Sequence, residues 1–120
     1  MRRSTPAALL TLVTLAFAAN SIAATAPADG IKYRKAVMSA MAAHTGAFSL
    51  INFGRVEHRD HLLAHVDALA ALGTQLKVLF PAGTDTGDTD ALPLIWQEEE
   101  KFAPLVKAGE KSTAELRPAV

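Results

Sequence analysis

The chain has 120 residues, twelve basic and twelve acidic side chains, a formal charge of zero and no cysteine. This length bounds it to one domain, and the balanced charge leaves no electrostatic footprint for nucleic acid. Without cysteine, disulfides, thiolate chemistry and thioether links are all excluded. Half the residues are hydrophobic but only 6% are aromatic, which suits closely packed helices better than a sheet.

Arg2 and Arg3 precede an apolar run over residues 7–19 that is too short to span a membrane. Together they read as the start of a secretion signal. Ser21 and Ala23 supply small residues at positions −3 and −1 of a cleavage site, so a signal over residues 1–23 and a periplasmic mature chain from Ala24 are expected. Ala26 is the weaker alternative, because Pro27 would follow it. The arginine pair lacks the surroundings of a twin-arginine signal, so ordinary secretion is the reading. Losing Arg2 and Arg3 leaves ten basic residues against twelve acidic ones, a net charge of −2, and no membrane span.

The mature part, residues 24–120, reads as three helices. The first is expected from about Gly30 to Phe53, with Asp29 as N-cap and Gly54 as its stop. Its apolar stripe is Val37, Met38, Met41, Thr45, Phe48 and Ile51. The second is expected from about Asp60 to Pro81, on the three-four repeat of Leu62, Val66, Leu69, Leu72, Leu76 and Leu79. Residues 82–90 hold two glycines, three threonines and three aspartates, the composition of an irregular loop. The third helix starts between Pro93 and Gln97, favoured by acids at 98–100 near its positive end. Pro104 fits only in its first turn, Phe102, Leu105, Val106 and Leu116 form its apolar side, and Pro118 ends it.

Three residue types carry candidate chemistry. Arg34 and Met38 are four apart, which places a cation and a thioether one turn apart on one helix face. Spacing alone leaves Met38 as a core side chain or as a soft metal ligand, and Arg34 as a snorkelling surface residue or a carboxylate partner. His58, His61 and His65 are spaced for one helical face, and could present a metal site only if the helix begins before His58. His44 is a packed or rim residue beside the first stripe. Trp96 is read as packing. No phosphate loop, nucleophile elbow or His-Glu-x-x-His pair is present, so no catalytic residue is predicted and the chain is not read as an enzyme.

The segments Ile31-Lys-Tyr-Arg-Lys-Ala-Val-Met38, His61-Leu-Leu-Ala-His-Val-Asp-Ala-Leu69, Leu79-Phe-Pro-Ala-Gly83 and Ala91-Leu-Pro-Leu-Ile-Trp96, in this order and spacing, resemble the cytochrome c-prime family. The likeness is to its low-spin, methionine-ligated members in particular. The resemblance implies an all-α fold, three helices of an antiparallel four-helix bundle. The fourth helix, which carries Cys-x-x-Cys-His in the family, is absent from this sequence.

The resemblance also implies a haem cofactor. Met38 then takes the place of the axial iron ligand, Arg34 lies near the haem propionates, and Thr89 sits in a loop that closes over one haem edge. Lys35 occupies a haem-contact position where relatives carry an amide or an acid. The function implied is periplasmic electron transfer with periplasmic redox partners, and binding of small gases such as nitric oxide in five-coordinate members. Lacking Cys-x-x-Cys-His, the chain is expected to be a truncated form unable to attach haem covalently. The alternative is a haem-free periplasmic helical protein that binds a partner or a metal. A docking face left open on two helices predicts self-association to a homodimer, or a loosely packed helical state.

Overall fold

The computed structural model describes residues 23–120, so the secretion signal predicted over residues 1–23 lies outside the described residues except for Ala23. Regular structure among the described residues is entirely helical: α1 Pro27–Asn52, α2 Leu62–Gly73, the single turn α3 Leu94–Gln97, α4 Glu99–Ala114 and the short α5 Leu116–Ala119. Single 3₁₀ turns at Arg59–His61 and Leu76–Val78 lead into and out of α2. The all-α expectation holds, and α1, α2 and α4 are its three long helices.

α1 begins earlier than the sequence suggests. Its N-cap is Ala26, not Asp29, and Pro27 occupies the first turn. Proline needs no donor there, and its fixed φ is already helical. Asp29 lies inside that first turn, where its charge meets the positive end of the helix dipole. The stop at Gly54 is as expected: its φ of 64° lets Arg55 N–H reach the Leu50 carbonyl at 2.8 Å and its own N–H reach Ile51 at 3.0 Å. That pair of bonds is a Schellman closure, which favours glycine at the left-handed position.

α2 stops at Gly73 rather than continuing to Pro81. Glycine weakens the helix there, and the Thr74 hydroxyl donates back to the Ala71 carbonyl at 2.8 Å. The chain continues as a 3₁₀ turn, which keeps Leu76 and Leu79 on the inner side. The third helix is split. Glu98, at φ −126° and ψ 54°, separates α3 from α4. Pro104 therefore falls in the second turn of α4, not the first, and leaves the Glu100 carbonyl without its helical donor. Pro118 does not end that helix either. α4 ends at Ala114, and Pro118 lies within α5, where Leu116 is half-buried.

The order of contacts fixes the directions of the helices. Tyr33 of α1 hydrogen-bonds Gln75 beyond the end of α2, while His44 further along α1 meets His65 near its start. α1 and α2 are thus antiparallel. α4 runs antiparallel to α2 in turn, since Gly73 abuts Thr113, and Gly109 abuts Leu76. An ion pair between Arg117 and Asp67 ties α5 to α2. The buried apolar residues are Ile31, Val37, Ile51, Leu62, Val66, Leu69 and Leu79. Thr45, placed in the α1 stripe by its spacing, is exposed; Ile31 and Arg34 take the inner face instead.

At Gly73 a Cβ would overlap Thr113 Oγ1 and stand 3.1 Å from its Cβ. Gly73→Ala is therefore expected to destabilise the chain by about 1–3 kcal/mol through overpacking, despite alanine's better helix propensity. Thermal melting followed by circular dichroism checks this. Thr113→Ala in the same chain should recover most of the loss, and a stabilised single variant would contradict the close α2–α4 contact.

Candidate functional site

Arg34 enters α1 two turns from its start and is only 3% exposed, so it is not the snorkelling surface arginine that its charge alone suggests. Burial pushes its pKa down from the ordinary guanidinium value, because the charged form loses water. Four neutral oxygens replace that water. Nη1 donates to the Leu79 carbonyl at 3.2 Å and to Thr84 Oγ1 at 2.9 Å; Nη2 donates to the Thr84 carbonyl at 2.9 Å and to Thr89 Oγ1 at 2.8 Å. Phe80 and Trp96 lie over the cation, with ring centroids 5.2 and 5.4 Å from Cζ, a favourable placement for a desolvated guanidinium.

These bonds give the irregular segment after α2 its shape. Thr84 Oγ1 passes its own proton to the Pro81 carbonyl at 2.8 Å, and Thr89 Oγ1 also accepts from Ala91 N–H at 3.1 Å. Trp96 Nε1 donates to the same Pro81 carbonyl at 3.1 Å, so the packing role expected of Trp96 is joined by an anchoring one. Phe80 meets Phe102 of α4 edge-on, with ring centroids 4.9 Å apart. One buried cation thus connects α1, the loop, α3 and, through Phe80, α4.

Below this clamp lies a cavity of about 460 Å³, within the usual size of ligand pockets, roughly 300–1,000 Å³. Arg34, Lys35, Met38 and Thr89 all line it, brought together from α1 and from a loop some fifty residues later. The remaining wall is largely apolar: Leu76 and Phe80 from one side, Ile95 from α3, and Phe102, Leu105 and Val106 from α4. Met38 is 44% exposed, since its side chain faces this opening rather than filling the core. Lys35 Nζ is held by Asp88 at 3.0 Å. The spacing of Phe102, Leu105 and Val106 predicts the apolar side of the third helix, but their sharing a cavity with Met38 depends on the fold.

Both Nη atoms of Arg34 are fully engaged by loop oxygens, so the planar fork is not free for a carboxylate. Only Nε–H and the uncompensated charge remain. The histidine trio does not converge. His58 and His61 stack with centroids 5.2 Å apart and planes at 13°, outside α2, whereas His65 turns to His44. His58 precedes the 3₁₀ turn, so it leaves the helical face that the spacing required. Among the described residues, no group of three or more His, Cys, Asp or Glu side chains is placed to hold a metal ion, and no helix is long and apolar enough to cross a membrane.

Fold and site together define an antiparallel helical protein built around an apolar cavity with a thioether on its wall and cations at its rim. The profile of the Cytochrome C' family matches residues 29–120. The chain is 30% identical over 113 residues to "Cytochrome c'" of Rhodospirillum rubrum, covering 93% of this chain and 73% of that protein. It is 30% identical over 90 residues to the protein of the same name from Pararhodospirillum photometricum, covering 73% and 72% respectively. Against "Cytochrome c'" of Rhodopseudomonas palustris, identity is 34% over 84 residues, covering 68% of this chain and 58% of the relative. No solved structure matches significantly. The chain belongs to the cytochrome c′ family.

Arg34→Met would leave the Leu79 and Thr84 carbonyls and the Thr84 hydroxyl without their donor, and Thr89 Oγ1 with Ala91 N–H alone. A loss of about 2–5 kcal/mol is expected from the resulting unsatisfied groups. Arg34→Lys should recover little, because one ammonium cannot reproduce the two-sided fork. Trp96 is the sole tryptophan, so a red shift of its emission at temperatures where helicity persists would report the loosened loop. An unshifted emission and unchanged melting in Arg34→Met would contradict the clamp.

Proposed function

We propose that the cavity holds haem and that the chain is a non-enzymatic electron-transfer protein of the cytochrome c′ type acting in the periplasm. One observation carries the reading: Arg34, Lys35, Met38 and Thr89, matched to the family from two distant segments, line a single apolar cavity. The periplasmic location is supported by the family and by the secretion signal read in residues 1–23.

The residues present suit haem in three respects. Apolar side chains from Leu76, Phe80 and α4 accept the face of a macrocycle. Met38 offers a soft, neutral thioether of the type that haem iron accepts. Lys35 and the buried charge of Arg34 favour the carboxylates at the edge, with Lys35 giving the more accessible donor. Haem, when bound, supplies the one-electron chemistry at its iron. The apolar lining would shield it from water, and Lys35 with the Arg34 charge would attract its carboxylates.

Thioether bonds form through cysteine, and these 120 residues contain none, so these residues would hold haem through non-covalent contacts. A haem-free protein that binds a partner or a metal is the second reading. It is favoured by the placement of His44, His58, His61 and His65, none of which lines the cavity.

Added haemin is expected to bind with a Soret shift and to be lost on denaturing electrophoresis. Met38→Ala should change the spectrum of the reduced complex far more than Met41→Ala does. Equal effects of the two substitutions would remove Met38 from the ligand position, and absence of any Soret change would favour the haem-free reading.

A further inference from the structure

His44 and His65 come from different helices, 21 positions apart, and place their Nδ1 atoms 3.0 Å from each other. The rings are half-buried, with centroids 5.3 Å apart and planes at 54°. This pair lies on the α1–α2 seam, away from the cavity that Arg34 and Met38 line. No sequence spacing announces it, because the two residues meet only through the antiparallel register of α1 and α2.

Two imidazole nitrogens at this distance share one proton: one ring carries Nδ1–H and the other accepts it. The same two nitrogens are the donor atoms that late transition metals prefer. For metal–nitrogen bonds of about 2.0–2.1 Å, cis donors at a right angle are about 2.9 Å apart, and tetrahedral donors about 3.3–3.4 Å apart. The observed 3.0 Å, set here by the hydrogen bond, lies within a few tenths of an ångström of both values, so either geometry needs little movement of the rings. Tetragonal coordination by nitrogen and oxygen marks copper(II) and nickel(II), and copper(II) binds more tightly in the divalent series.

We propose that His44 and His65 form a cis bis-imidazole site for copper(II) that bridges α1 and α2. Each ring binds through Nδ1 and carries its proton on Nε2. In the neutral pair, the shared proton moves from Nδ1 to Nε2 of the same ring, so no oxidation or reduction takes place. Half-exposure of both rings leaves the other two equatorial positions to water. The metal replaces a single hydrogen bond with two coordinate bonds across the seam, so it stabilises the folded chain by mass action.

The test uses the haem-free chain and copper(II) sulfate alone, and is therefore independent of the haem reading. One copper per chain should bind, with an electron paramagnetic resonance spectrum showing hyperfine coupling to two nitrogens and a raised melting temperature. His44→Gln and His65→Gln should each weaken binding at least tenfold, and a His58→Gln/His61→Gln double variant should not. Should the glutamine variants lose their helical circular dichroism, the wild-type chain decides the matter. Substoichiometric copper(II) should then broaden the imidazole resonances of His44 and His65 before those of His58 and His61. Binding that survives both single substitutions, binding lost in the double variant, broadening in the opposite order or all at once, or no binding would each overturn the proposal.

Discussion

A cation removed from water must find its hydration elsewhere, and in this chain that need organises the segment around the cavity. The Arg34 guanidinium, on the inner face of α1, has no carboxylate among its hydrogen-bond partners; it draws in two carbonyls and two hydroxyls from the segment after α2. Breaking such a set leaves a buried charge and buried acceptors unpaired, a far larger penalty than the net gain of any single bond. The loop carries no repeating backbone bonds of its own, so these side-chain bonds and a few tight turns set its path. Phe80 and Trp96 then pack over the cation and bring α3 and α4 into the same cluster.

The cavity follows from that arrangement. Thr89 reaches its wall because its hydroxyl is held between Arg34 and Ala91 N–H, and Ile95 reaches it because Trp96 is anchored on Pro81. Met38 lies one turn after Arg34 and so looks into the space that the loop encloses. A loop pulled onto the helix at Arg34 and an apolar α4 opposite it leave an opening with Arg34 and Lys35 in its lining and a thioether on its wall. Glycines at positions 73 and 109 let α4 approach α2 closely, Gly109 against Leu76, which itself lines the cavity.

Much of this was legible in the sequence, and the misses share a physical cause. Leu62, Val66, Leu69 and Leu79 are buried as their three-four spacing predicts. Gly54 closes α1 as a left-handed stop should. The α1 stripe was harder to read, because a hydropathy pattern scores an arginine as a surface residue unless the loop covering it is known. It therefore passed over Arg34 and Ile31 and admitted Thr45. The motif resemblance singles out Arg34, Lys35, Met38 and Thr89, four residues that line one cavity. It could not reveal that the arginine fork is occupied by loop oxygens, which depends on the fold of residues 79–89. The meeting of His44 with His65 depends on cross-helix register, and within-helix spacing pointed instead to His58, His61 and His65. The end of α2 at Gly73 was hidden because the 3₁₀ turn continues the apolar rhythm past the last α-helical residue.

The proposal that the Arg34-organised cavity takes a porphyrin can be read residue by residue in amide and methyl NMR of the chain titrated with zinc protoporphyrin IX. Zinc keeps the complex diamagnetic and the assignments readable. Perturbations should concentrate at Lys35, Met38, Thr89, Ala91, Phe102 and Val106, with slowed solvent exchange at the Arg34 guanidinium. Perturbations centred on the α1–α2 seam around His44 and His65, or an unchanged spectrum at saturating porphyrin, would contradict it.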